Sequence, residues 1–120
     1  MNRRESGIRN LLGVKTLRIT VQFLGNIREI TGTREQAFDI AEATVQALVE
    51  RMTGEYGDDF KRTLIHTSTG KVSSSVVIVL NGVDIEALKG VKTNLKDGDI
   101  VAIFPPVAGG ANIIRALGSK

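Results

Sequence analysis

The hydrophobic period of this chain changes along its length, and that change restricts the fold more than any other feature. Leu17, Ile19, Val21 and Phe23 alternate with Arg18, Thr20 and Gln22, which is the period-two pattern of a half-buried strand. Val45, Leu48, Val49 and Met52 are instead spaced i, i+3, i+4, i+7, one face of a helix. Two later runs, Val76 to Leu80 and Ile100 to Phe104, are continuously apolar. Runs of this length between turn signals predict strands, and the first reads as an inner strand covered on both faces. One chain of 120 residues and 12.9 kDa must place all of these on a single core, with little room for a second domain.

The punctuation completes the order. Gly25 to Glu35 is polar, with a turn at Gly32, and Ala37 to Ile40 returns as a hairpin strand. Thr44 stands where an N-cap is needed, Glu42 lies near the positive helix end, and Gly54 or Gly57 would stop the helix. Residues 57–75 look irregular and polar. Asn81-Gly82 is a tight-turn signal with Val83 and Ile85 beyond it. Asp97-Gly98-Asp99 marks another turn. Pro105-Pro106 cannot continue a ladder, so the sheet ends there, and Val107-Ala108-Gly109-Gly110 forms an arm. Phe23, Phe38 and Leu80 are core candidates, and Phe60 is either a further core residue or part of a partner-facing patch.

Composition excludes several chemistries. There is no cysteine and one histidine, His66. Disulfides, thiolate metal sites, a cysteine nucleophile and a multi-histidine metal site within one chain are ruled out. No metal site is expected: Asp97 and Asp99 read as turn residues, Glu55, Asp58 and Asp59 as a solvated helix end, and His66 as a polar loop residue. Ser73, Ser74 and Ser75 have no recognisable histidine and acid partners. The apolar runs are too short to cross a membrane. No apolar stretch follows Arg3, Arg4 and Arg9, which argues against a secretory signal; a cytoplasmic protein is expected.

The net charge is +3 and the pI about 9.5, values that invite a nucleic-acid reading. Dividing the charge removes most of that invitation. Residues 1–15 carry +3 and residues 111–120 carry +2, which leaves −2 for residues 16–110. The chain is therefore read as a basic extension (1–15), a mildly acidic domain (16–110) and a second basic extension (111–120). Ile8-Arg9-Asn10-Leu11-Leu12-Gly13 and Ile114-Arg115-Ala116-Leu117-Gly118 each fit one or two amphipathic turns, but turns this short are marginal without a surface to lie on, and flexible, frayed termini are the expectation.

The order of elements, ending in Leu95-x-Asp97-Gly98-Asp99-Ile100-Val101-x-Ile103-x-Pro105-Pro106-Val107-x-Gly109-Gly110, resembles the molybdopterin synthase small-subunit family, among the β-grasp, ubiquitin-like sulfur carriers. Leu24 to Thr31 resembles that family's first loop, and Val79-Leu80-Asn81-Gly82 its central hairpin. The resemblance implies an α+β fold, a mixed four- to five-stranded sheet packed on one main helix. It implies that Gly110 bears a carboxylate that an E1-like partner adenylates with ATP and that sulfur transfer converts to a thiocarboxylate. It implies that Pro105, Pro106, Val107, Ala108 and Gly109 insert into that partner and into the large subunit of molybdopterin synthase. No cofactor would be bound by the chain itself, and no catalytic site of its own is implied. Related archaeal proteins join their diglycine to lysines of other proteins, which is the alternative reading. A third is a β-grasp binding module without terminal chemistry.

The residue types suit a carrier arm. Pro105 and Pro106 stiffen its base, and Gly109 and Gly110 lack the Cβ atoms that would obstruct a narrow channel. The sequence departs from the family in one respect: Ala111 to Lys120 follow the diglycine, so Gly110 has no free carboxylate as written. Removal of residues 111–120 by a processing peptidase is the expectation that reconciles the two. A tail that instead covers the arm, with Ile113, Ile114 and Leu117 on the sheet, is the other outcome.

Overall fold

The computed structural model describes residues 16–106. The strands are β1 (Leu17–Phe23), β2 (Glu35–Ile40), β3 (Val77–Leu80), β4 (Val83–Asp84) and β5 (Ile100–Phe104). They form one sheet in the order β2-β1-β5-β3-β4. β1 and β2 pair antiparallel as a hairpin. β5 lies in the middle, parallel to β1 and antiparallel to β3. The sheet is therefore mixed, as expected.

The main helix is α2 (Val45–Tyr56). Thr44 caps it, its hydroxyl accepting from the Ala47 N–H at 3.1 Å. Val45, Leu48, Val49 and Met52 form the buried stripe. They join Ile19, Val21 and Phe23 of β1, Ile78 and Leu80 of β3, and Val101 and Ile103 of β5 in one apolar cluster. Each such side chain contributes about 1.5–3 kcal/mol when removed from water. Phe38 also lies in this cluster, with the Arg51 guanidinium 5.4 Å above its ring centroid.

Three sequence expectations are corrected. Gly25 to Glu35 is not simply a polar connection: it contains α1 (Asn26–Thr31), closed by Gly32 in the left-handed region, and β2 begins at Glu35 rather than Ala37. A six-residue helix with Ile27 as its buried residue has no period to read. Residues 57–75 are not all irregular, because α3 (Asp58–Leu64) occupies the first part. Asp58 and Asp59 sit in its first turn, Lys61 and Arg62 in its last, matching the helix dipole. Phe60 and Leu64, spaced i, i+4, are fully buried, which settles Phe60 as core. The rest of that segment closes on itself through an Ile65–Val72 bridge, with exposed His66 contacting the Ser68 hydroxyl at 3.0 Å.

Gly54 does not stop α2; Gly57, at φ 98°, does. Gly54 is exposed in the helix interior, and nothing lies within 4 Å of a Cβ built there. Alanine removes unfolded-state freedom and adds no clash, so Gly54→Ala is expected to raise stability by about 0.5–1 kcal/mol. Urea denaturation should show a higher midpoint at unchanged slope. Beyond β4 the chain makes two 3-10 turns, Ile85–Ala87 and Gly90–Lys92, so Ile85 anchors the core from a turn rather than a strand.

Candidate functional site: the root of the diglycine arm

The arm grows out of β5, and three features fix where β5 points. The Asp97-Gly98-Asp99 turn secures its start. Asp97 Oδ1 accepts from the Arg18 N–H at 2.7 Å, and Asp99 Oδ2 accepts from the Lys96 N–H at 2.7 Å. Both carboxylates thus have backbone work, as turn chemistry predicts; among the described residues no acidic or histidine cluster is arranged to hold a metal.

The second feature is the Asn81-Gly82 turn, with φ of 50° and 89°. The Asn81 amide donates to Asp99 Oδ1 at 3.0 Å, and its carbonyl oxygen accepts from the Ile100 N–H at 3.0 Å. One side chain therefore joins the β3–β4 hairpin to the first residue of β5.

The third feature lies at the exit. The Leu24 N–H donates to the Ile103 carbonyl at 3.0 Å, carrying the parallel ladder one step past β1. Gly25 follows at φ 60° and ψ −141°, a conformation that L side chains rarely adopt. A Cβ on Gly25 would lie 2.9 Å from Pro105 Cδ and 3.0 Å from Pro105 Cγ. The β1–α1 junction thus forms a close-fitting seat for the first proline of the arm.

Of the arm residues expected from sequence, Pro105 is half-buried in this seat and Pro106 is exposed. Val107, Ala108, Gly109 and Gly110 lie outside the described residues, as do both terminal extensions. Gly25 is a site residue that sequence reasoning misses. It and Pro105 stand near opposite ends of the domain's sequence, and a lone glycine after a strand has too many ordinary explanations to point to a specific contact.

Strand alternation splits the two apolar runs between the faces of the sheet. Val101, Ile103, Ile78 and Leu80 face α2. Val79, Ala102 and Phe104 form a second cluster on the opposite face, with half-buried Leu24 and Val77 against it. Val77 is opposite Phe104 and Val79 opposite Ala102, so this cluster sits at the end of β5 where the arm leaves. Ile100, at the other end of the same strand face, is 45% exposed.

No described side chain has the setting of a nucleophile or general base. Tyr56, whose ring contacts include Phe23, Phe38 and Phe60, has its hydroxyl pKa raised by burial and then by the nearby Glu55 carboxylate. It remains a phenol that donates to Gln36 Oε1 at 2.7 Å.

A mixed five-stranded sheet closed over a main helix, with its middle strand ending at Pro105-Pro106, defines a β-grasp, ubiquitin-like protein. More narrowly, the chain belongs to the ThiS family, whose model matches residues 21–110. It is 34% identical over 95 residues to small archaeal modifier protein 3 of Haloferax volcanii, covering 78% of this chain and all of that protein. It is 30% identical over 96 residues to the molybdopterin synthase sulfur carrier subunit of Chlamydomonas reinhardtii, with 78% of this chain and all of the relative covered. The solution structure of small archaeal modifier protein 1 from Methanosarcina acetivorans superposes with a TM-score of 0.66 at 31% identity, covering 79% of this chain and 98% of that one. These relatives place the chain among sulfur carriers and ubiquitin-like small modifiers.

Proposed function

We propose that this chain carries sulfur for molybdopterin synthesis, serving a molybdenum or tungsten cofactor, as a thiocarboxylate on Gly110 after residues 111–120 have been removed. The observation that carries the reading is the seating of Pro105, directly after the central strand β5, against Gly25. The freed Gly110 carboxylate attacks the α-phosphorus of ATP in an E1-like partner, releasing pyrophosphate and forming an acyl-adenylate. A sulfide nucleophile then adds to the acyl carbon, and AMP leaves. The product thiocarboxylate is delivered to the large subunit of molybdopterin synthase, with Pro105 to Gly109 lying in each partner's channel. The chain supplies the electrophile and its reach; the partners supply the ATP site and the catalytic groups.

Intact mass of the protein from its native host tests the reading. The expected species ends at Gly110, part of it with sulfur in place of one carboxylate oxygen. Full-length protein alone, from cells making molybdopterin, would overturn it.

The similarity to a small archaeal modifier protein favours one second reading, in which the Gly110 acyl-adenylate reacts with lysine amines and forms isopeptide bonds. Trypsin would then leave a branch running from Asp97 to Gly110 on target lysines, because no Lys or Arg lies between them. Finding such branched peptides in the host proteome would favour the modifier over the carrier.

A further inference from the structure

Where the loop of residues 65–72 meets the two 3-10 turns of residues 85–92, the described surface folds into a cleft of about 450 Å³. Lys71, Lys89 and Lys92 line it beside Val72, Leu88 and Val91, and Glu86 is the acid among the lining residues. All three lysines are exposed, and none makes an ion pair among the described residues. Leu88 is 45% exposed, with Val72 and Val91 half-buried. A smaller cleft of about 230 Å³ shares Gly70 and Val91 with this one, and its lysine, Lys61, is already paired with Glu50 at 2.8 Å.

Both walls are fixed before any ligand arrives. The Ile65–Val72 bridge closes one, with the His66 N–H donating to the Lys71 carbonyl at 2.8 Å and the Gly70 N–H to the His66 carbonyl at 2.7 Å. In the other, the Lys92 N–H donates to the Lys89 carbonyl at 3.0 Å, and the Lys89 N–H to the hydroxyl of buried Thr93 at 3.0 Å. Lys89 and Lys92 are thus three residues apart across one 3-10 turn, where side chains eclipse. Like charges held this way repel, and an anion between them relieves that repulsion. Walls that are already ordered also lower the cost of binding.

We propose that this cleft docks an acidic peptide segment of a partner protein, its carboxylates against Lys71, Lys89 and Lys92 and an aliphatic side chain against Val72, Leu88 and Val91. Charge distribution favours this occupant. The cleft holds three lysines and one acid, a net of +2, within a domain of net −2, so the rest of residues 16–110 carries −4. An acidic segment is therefore drawn to the cleft and repelled by the remainder of the domain. Nucleic acid fits less well. Its bases seek aromatic platforms or arginine, and neither lines the cleft; Phe23, Phe38, Phe60 and Phe104 are buried in the cores. The cleft shares no lining residue with the seat formed by Leu24, Gly25 and Pro105, and the docking does not depend on what Gly110 carries.

Fluorescence anisotropy of a labelled peptide of Glu-Leu-Asp repeats, read together with amide chemical shifts of the full-length protein, tests the docking. The peptide should bind and should shift the amides of Lys71, Val72 and Leu88 to Lys92 most. Lys89→Glu should weaken binding about fivefold or more. Lys96→Glu makes the same change in net charge at an exposed lysine outside the cleft, and should leave affinity within about twofold. Glu-Ser-Asp repeats, equal in charge but without the aliphatic side chain, should bind about tenfold more weakly. Absence of binding at low salt would overturn the proposal. So would equal losses in Lys89→Glu and Lys96→Glu, or shifts confined to residues 1–15 and 111–120, which would make the basic extensions the binding site. An oligothymidylate that moves the same amides and binds more tightly than the peptide would overturn it as well, as would cleft shifts that grow with protein concentration in the absence of peptide and so report a second copy.

Discussion

A chain whose tail cannot be removed is expected to lose sulfur transfer completely while folding normally. Ala111→Pro provides such a chain, since proline after the scissile bond resists most peptidases. The argument is one of electrophile chemistry. Adenylation needs a carboxylate oxygen to attack phosphorus, and an internal Gly110 has only an amide carbonyl, whose nitrogen lone pair is delocalised. No positioning by a partner supplies the missing oxygen. Thiocarboxylate formation, measured by mass after incubation with the native adenylating fraction and a sulfide source, should fall to background. Ala111 follows the described domain of residues 16–106, and the urea midpoint is expected to move by no more than about 0.5 kcal/mol equivalent. A chain ending at Gly110 should restore the reaction without any peptidase. Unchanged sulfur transfer by Ala111→Pro that remains full length would show that the chemistry does not pass through Gly110.

Much of the frame behind that expectation is legible in the residues. The alternation of Leu17 to Phe23 gives β1 its two faces, and the i, i+3, i+4, i+7 stripe from Val45 gives α2 its buried side. Asn81-Gly82 and Asp97-Gly98-Asp99 mark the two turns. Pro105-Pro106 ends the sheet where it does end. What is hidden is of two physical kinds. Short elements hold too few buried residues to show a period: α1 rests on Ile27, and α3 on Phe60 and Leu64. Contacts between distant segments leave no local trace. The parallel pairing of β1 with β5 and the seat of Pro105 on Gly25 both belong to this group. The uniform runs at 76–80 and 100–104 conceal a third fact, that alternate residues serve different faces. Only strand geometry separates Ile103 in the main core from Ala102 and Phe104 on the outer side.

The seat itself predicts the second large effect. Gly25 meets two independent demands, a positive φ and the absence of a Cβ near Pro105. Gly32 meets only the first: its φ is 78° and nothing lies within 4 Å of a Cβ placed there. Gly32→Ala should therefore cost about 1–2 kcal/mol, the left-handed penalty alone. Gly25→Val adds a branched side chain against the proline ring, an overpacking that costs about 1–3 kcal/mol further. The total of roughly 2–5 kcal/mol lowers the melting temperature of a domain this size by at least about 8 °C. The two variants should also differ in kind. In Gly25→Val the relief available is for Pro105 to move, because the Leu24 bond to Ile103 and the core behind it hold the other side. Moving Pro105 re-aims every residue after it. At a temperature where both variants are folded, a Gly110-ended Gly25→Val chain should accept sulfur with a kcat/KM at least tenfold lower. The matching Gly32→Ala chain should keep wild-type transfer. Equal transfer by the two would mean that the arm finds its partners without its seat, and the geometry at Gly25 would then serve stability alone.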